Sequence, residues 1–179
     1  SAFRHTLFQV IAVITTTGFV SADFTSWTPF LTVFFFGLMF LGGSAGSTAG
    51  GIKVMRHLVI IKNGILEFKR TLHPNAVNQK TVTEHIVYNV VAFFVLYMLL
   101  FIIGSLVLGF LGLDFVSAVG GAASSLGNVG PALGSLNPVS NYNGLPEAGK
   151  WWCSFLMLLG RLELFTVLIV LTPYFWKKT

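Results

Sequence analysis

Thr15-Thr16-Thr17-Gly18-Phe19 and Gly127-Asn128-Val129-Gly130-Pro131 are two variants of one short loop, each closing an apolar segment of half length. A spanning helix needs about 20 apolar residues, so neither segment crosses a bilayer by itself. The chemistry such loops offer is that of the main chain: a short helix followed by a glycine-bearing Thr or Val loop can present backbone carbonyls to a dehydrated cation. Either loop alone also reads as an ordinary helix-ending turn. Two of them at matched positions point to a pore.

The elements that must hold these loops are membrane elements. The chain has 179 residues, 54% hydrophobic and 9% charged, with a mean hydropathy of +0.80, whereas soluble domains carry about 25% charged residues. Such a chain cannot cover a water-facing surface. The formal net charge of +5 is interleaved with apolar spans, which is the pattern of a topology signal and not of nucleic-acid binding. Cys153 is the only cysteine, so an internal disulfide and a cysteine zinc cluster are excluded, and it reads as a small buried hydrophobe. The start Ser1-Ala2-Phe3-Arg4-His5 has neither a methionine nor a signal-peptide layout. It reads as a piece of a longer protein.

Phe24 to Ile52 carries no charge. Its first half, Phe30 to Leu41, is a helix candidate, and the second half turns to Gly and small residues of poor helix propensity, predicting a helix broken inside the membrane. Lys53, Arg56, Lys62, Lys69, Arg70 and Lys80 stand against the single acid Glu67 and mark a cytoplasmic connection. His85 to Leu113 fits one tilted transmembrane helix. Asp114 to Leu126 is too short to span, and Trp151 to Trp176 forms a last span ending on Lys177 and Lys178.

With the basic connection 53–80 and the C-terminus cytoplasmic, both half-length segments dip in from the outer face and leave by it, as re-entrant helices. Non-helical backbone at that depth requires surrounding protein or a watery path. The expected fold is an all-α polytopic membrane protein of helix, re-entrant pore loop, helix repeats, potassium-channel-like in form. Residues 1–80 are the incomplete repeat, lacking its first helix, and residues 81–179 the complete one. Superposed without gaps, Thr15 falls on Gly127, Thr16 on Asn128, Thr17 on Val129, Gly18 on Gly130 and Phe19 on Pro131, with the glycine the one identity.

Ala2-Phe3-Arg4-His5 through Thr15-Thr16-Thr17-Gly18-Phe19, Gly42-Gly43-Ser44-Ala45-Gly46-Ser47-Thr48, His73-Pro74-Asn75-Ala76-Val77 and Leu159-Gly160-Arg161-Leu162-Glu163 together resemble the Trk/Ktr/HKT potassium transporters over essentially the whole chain. Members of that family have four such repeats around a central pore, and this chain is similar to the third without its first helix, plus the fourth. The resemblance implies that the carbonyls of Thr16, Thr17 and Gly18, with those of Asn128, Val129 and Gly130, form two quadrants of a potassium filter, potassium being the substrate and no cofactor being held by this chain. Two physical points agree: glycine admits a ligand to the backbone, and the helices would turn the negative ends of their dipoles toward a cation. Both loops depart from Thr-Val-Gly-Tyr-Gly, which leaves selection against sodium open.

The resemblance further implies that Gly42, Gly43, Ser44, Ala45, Gly46, Ser47, Thr48, Ala49, Gly50 and Gly51 form an intramembrane gate loop beneath the filter. A phosphate-binding loop is the competing reading. The stretch lacks the Gly-Lys-Ser/Thr ending and follows an apolar span, whereas tight helix packing through small residues is compatible with a gate. Arg161 resembles the family's arginine near the gate loop, with a structural arginine as the alternative, and Glu163 reads as structural. Asp23, Asp114 and Glu147 read as solvated outer charges. Also implied are a homodimer, the remaining N-terminal repeats, membrane lipid, and a cytoplasmic nucleotide-binding regulatory subunit of the TrkA/KtrA kind, all at the cell inner membrane.

Enzyme chemistry finds little support, because His5, His57, His73 and His85 lack metal-ligand spacing and no nucleophile, base and orienting acid converge on one recognisable motif. A secondary transporter of another solute would show inverted repeats entering from opposite sides. A non-conducting assembly subunit is the remaining alternative.

Overall fold

The computed structural model describes residues 2–44, 46–47, 49–72, 84–162 and 169. Six α-helices appear among them: α1 Ala2–Ile14, α2 Pro29–Leu38, α3 Val54–Leu72, α4 Glu84–Phe110, α5 Phe115–Gly127 and α6 Glu147–Arg161.

Helix ends follow local chemistry. The Thr28 hydroxyl accepts from the Leu31 N–H at 3.3 Å with Pro29 in the first turn of α2, and Asp114 accepts from the Ser117 N–H at 3.2 Å to start α5. Both are side-chain N-caps that satisfy otherwise orphaned donors. Asp114, expected from the sequence to be a solvated outer charge, is thus a structural cap. Helix α4 stops where Gly112 turns left-handed at φ 95°, with the Leu113 N–H returning to the Leu108 carbonyl and that of Gly112 to Gly109. That pair of bonds is a Schellman ending.

Within α4, His85–Phe110 is 26 residues long with mean hydropathy 2.8, and its most apolar window is 17% buried. It is long and apolar enough to cross a bilayer, and protein covers little of it. Among the described residues it is the one helix that meets that description. The expected last span is seen only as α6, its continuation lying outside the described residues.

The expected break after Phe30 to Leu41 occurs, with one addition to an all-helical chain. Leu41–Gly42 (β1) pairs in parallel with Ile52–Lys53 (β2), Leu41 opposite Ile52 and Gly42 opposite Lys53. This ladder pinches the neck of the Gly-rich stretch into an Ω-like loop, and α3 begins directly after it. No residue of α3 is buried; it lies on α4 with the Arg56 guanidinium 3.7 Å from the centroid of the Phe93 ring.

Helix α5 is the axis of the packing. Ala118, Ala122 and Leu126 join Leu108 of α4 and Leu156 and Leu159 of α6 in one cluster. Ala123 faces a second cluster with Val13, Phe35, Leu38 and Met39 from α1, α2 and the α2 end. Small residues permit this. A Cβ placed on Gly104 would lie 3.0 Å from Leu156 and 3.4 Å from Ala122, so α4, α5 and α6 meet with almost no space between them. Cys153 is buried and unpaired, as its sequence context suggested.

Candidate functional site

The two glycine loops leave their helices by the same left-handed corner. After α1, the Thr16 N–H bonds the Val13 carbonyl at 3.1 Å and the Thr17 N–H bonds Ala12 at 3.0 Å. After α5, the Asn128 N–H bonds Ser125 at 3.1 Å and the Val129 N–H bonds Ser124 at 2.9 Å, the same two bonds at the residues the gapless superposition pairs. Thr16 and Asn128, at φ 54° and 55°, are the two non-glycine residues with positive φ among the described residues, and Gly18 and Gly130 follow at φ 69° and 102°.

Each corner is a Schellman ending of the type α4 makes with Gly112, but built on residues that pay for it differently. Asn tolerates the left-handed region, while a β-branched Thr there is strained by about 1–2 kcal/mol. The neighbouring hydroxyls are used locally: Thr15 Oγ1 donates to the Ile11 carbonyl at 2.7 Å and Thr17 Oγ1 to Ala12 at 3.3 Å, covering the last carbonyls of α1. Buried Gln9 donates its side-chain amide to the Ala22 carbonyl and ties the outgoing strand of the first loop to α1.

The loops face each other. A Cβ on Gly18 would collide with the Val129 carbonyl oxygen and come within 3.3 Å of Pro131 Cδ. Among the described residues no hydrogen-bond donor reaches the carbonyls of Thr16, Thr17, Gly18, Asn128 or Val129. Loop carbonyls normally find a partner, so these five are acceptors held in reserve beside one another. The sixth differs: the Gly130 carbonyl accepts from the Tyr142 hydroxyl at 2.8 Å.

The Asn128 side chain points into the protein. Its Nδ2 donates to the Met157 carbonyl of α6 at 3.0 Å. Gly160, one turn further along α6, has no room for a Cβ against the Leu126 carbonyl and would meet Asn128 Nδ2 at 2.9 Å. The Gly-rich stretch reaches the same place: a Cβ on Gly50 would lie 2.6 Å from the Gly127 carbonyl and 2.7 Å from Asn128 Cβ, and one on Gly127 would lie 2.7 Å from the Met39 carbonyl. Backbone meets backbone here because Gly50, Gly127 and Gly160 carry no side chain.

Of the Gly-rich stretch, Gly42, Gly43, Ser44, Gly46, Ser47, Ala49, Gly50 and Gly51 are described, and Ala45 and Thr48 lie outside the described residues. Ser47 N–H bonds the Ser44 carbonyl at 3.0 Å and Ser47 Oγ accepts from the Ala49 N–H at 3.1 Å, so the loop is internally turned, with left-handed glycines at Gly46 and Gly51. Arg161 ends α6, exposed, and among the described residues makes no hydrogen bond or ion pair with this loop. Glu163 lies outside the described residues.

Tyr142 and Met157 were not anticipated as parts of this site. Their roles depend on contacts across 12 and 29 residues of chain, which leave no local signal. The one legible hint is the pairing of a loop Asn with a glycine in the following apolar segment. No group of three His, Cys, Asp or Glu side chains that could hold a metal occurs among the described residues.

A family model described as TrkH, cation transport protein, matches residues 1–178. The Trk system potassium uptake protein TrkH of Halomonas elongata is 41% identical over 180 residues, covering 98% of this chain and 37% of that protein. The TrkH of Escherichia coli K12 is 40% identical with the same coverage. The crystal structure of the potassium transporter TrkH from Vibrio parahaemolyticus superposes with a TM-score of 0.87 at 40% identity, over 98% of this chain and 38% of that one. The chain therefore spans little more than a third of the length of these relatives. Matched almost end to end by the family model and by relatives at this identity, the chain belongs to the TrkH cation transport protein family.

Proposed function

We propose that this chain supplies two of the walls of a potassium uptake pathway across the cell inner membrane, each wall a re-entrant helix, a carbonyl loop and an inner helix. Residues 1–80 are one repeat without its first helix and residues 81–179 the next, complete repeat. The observation that carries the reading is the pair of facing left-handed corners, with the same paired helix-ending hydrogen bonds and five carbonyls that no donor among the described residues reaches. Carbonyls so held can replace the hydration shell of a cation without a rearrangement at the moment of binding. The relatives' names, potassium uptake proteins, supply the ion.

The Gly-rich stretch 42–51 acts as the gate. Its support is contact: Gly50 and Gly51 rest on Gly127 and Asn128, immediately beneath the second corner, and glycine gives the loop several backbone conformations of similar energy. Arg161, one residue beyond Gly160 of the same junction, is the cation that discourages passage when the loop is closed. The basic connection through α3 faces the cytoplasm, where a regulatory subunit of the TrkA/KtrA kind and anionic headgroups find Lys62, Lys69 and Arg70. The working protein is a homodimer of chains with the relatives' full length.

Rubidium uptake into liposomes holding the full-length protein tests the reading. Excess potassium should block uptake and excess sodium should not. Gly18→Ala should reduce uptake at least tenfold while the protein still purifies as a single species, because its new methyl meets the Val129 carbonyl at a left-handed position. Uptake unchanged in that variant removes the assignment of the loops.

A further inference from the structure

Tyr142 sits in the 3-10 turn Tyr142–Gly144, between the second glycine corner and α6. Its ring packs on the cluster that joins α4, α5 and α6. The turn carrying it is rigid, since Asn141 Oδ1 accepts from the Asn143 N–H at 3.2 Å and the Leu145 N–H returns to the Tyr142 carbonyl at 3.2 Å. From that base the phenol donates to the Gly130 carbonyl at 2.8 Å.

Gly130 needs such a tether more than its neighbours do. At φ 102° it holds a conformation open to glycine alone and has no side chain to pack, so nothing of its own fixes the plane of the following peptide. The next residue is Pro131, whose nitrogen carries no hydrogen and cannot anchor that peptide. Among the described residues the phenol is the one hydrogen-bond donor that reaches this carbonyl. Across from it stands Gly18, whose Cα lies 3.9 Å from the position of a Gly130 Cβ, so movement of this peptide changes the separation of the two loops directly.

We infer that Tyr142 is a positioning residue that sets ion selectivity: by drawing the Gly130 carbonyl back into the protein it keeps the second loop from closing around an ion smaller than potassium. The inference rests on the filter reading of the paired loops. A smaller ion needs its oxygens closer together, and a loop tethered from behind resists that contraction.

The test is rubidium uptake by the full-length protein in liposomes, read as the ratio of sodium to potassium concentrations that halve uptake. Tyr142→Phe removes one oxygen and keeps the ring packed. The ratio should fall about threefold to tenfold, the effect of one hydrogen bond of ordinary strength. para-Aminophenylalanine at position 142 keeps a weaker donor and should give an intermediate ratio; it also serves where the Phe variant does not purify. Asn141→Ala loosens the turn that carries the phenol but leaves its donor, so its ratio should fall by less than that of Tyr142→Phe. A purely structural tyrosine would lower yield without moving the ratio in order of donor strength. An unchanged ratio at position 142, with Gly18→Ala still blocking uptake, overturns the role of Tyr142 alone. Unchanged uptake in Gly18→Ala overturns the filter and this inference together.

Discussion

Thr16 and Asn128 occupy the same left-handed corner with side chains of different cost. At Gly112 the chain makes the same helix ending with glycine, so the fold has an unstrained solution available and does not use it at either loop. Strain retained at a β-branched residue points to a use for that residue. The Thr16 hydroxyl makes no hydrogen bond among the described residues, so Thr16→Gly removes strain and no bond. Allowing for the greater freedom of glycine in the unfolded chain, it should raise stability by about 0.5–1 kcal/mol. A thermal melt of the purified protein would register this as a higher midpoint, and a lower midpoint would show that Thr16 contributes a contact the local geometry does not contain. Asn128 differs because its amide is spent on the Met157 carbonyl, which makes it the pin between loop and helix.

The elements meet at one crossing, where α5 ends against the Gly-rich stretch, the end of α2 and α6. Gly50→Val would drive two methyl groups into the Gly127 carbonyl and Asn128. Because the contact is with backbone, it cannot be relieved by a side-chain rotation, and the stretch must swing away from the corner. If the stretch is the gate, this variant should conduct more than the wild type in the absence of any activating subunit, measured as rubidium uptake per mole of reconstituted protein. Reduced uptake from a well-folded variant would mean that the contact supports the conducting geometry. Much of the element plan was legible in the residues. The span expected at His85 to Leu113 is α4 with its Gly112 ending, and the short segment from Asp114 is α5 shifted by one residue, with Asp114 as its cap. The break after Leu41 was legible because poor helix formers follow it. The parallel ladder that pinches the loop was not, because a two-residue pairing has no periodicity to detect.

For the whole molecule, the gapless superposition proved informative well beyond its single shared glycine, because matched φ angles and hydrogen bonds stand at the positions it paired. What stayed hidden were long-range contacts: Tyr142 on Gly130, Asn128 on Met157 and Gly50 on Gly127 join elements whose order along the chain says nothing of their distance in space. Arg161, expected beside the gate loop, makes no hydrogen bond or ion pair with the Gly-rich stretch among the described residues. The exposed apolar faces of α1 and α4, including Phe3, Leu7, Ile11, Val95, Leu99 and Leu106, are the surfaces on which the proposed lipid and further repeats would rest. The proposed pore holds a cation between the two corners. Crystals of the full-length protein grown in rubidium, with anomalous diffraction recorded at the rubidium edge, would locate it. A rubidium peak bordered by the carbonyls of Thr16, Thr17, Asn128 and Val129 is expected; well-ordered loops with no peak between them would remove the ion site.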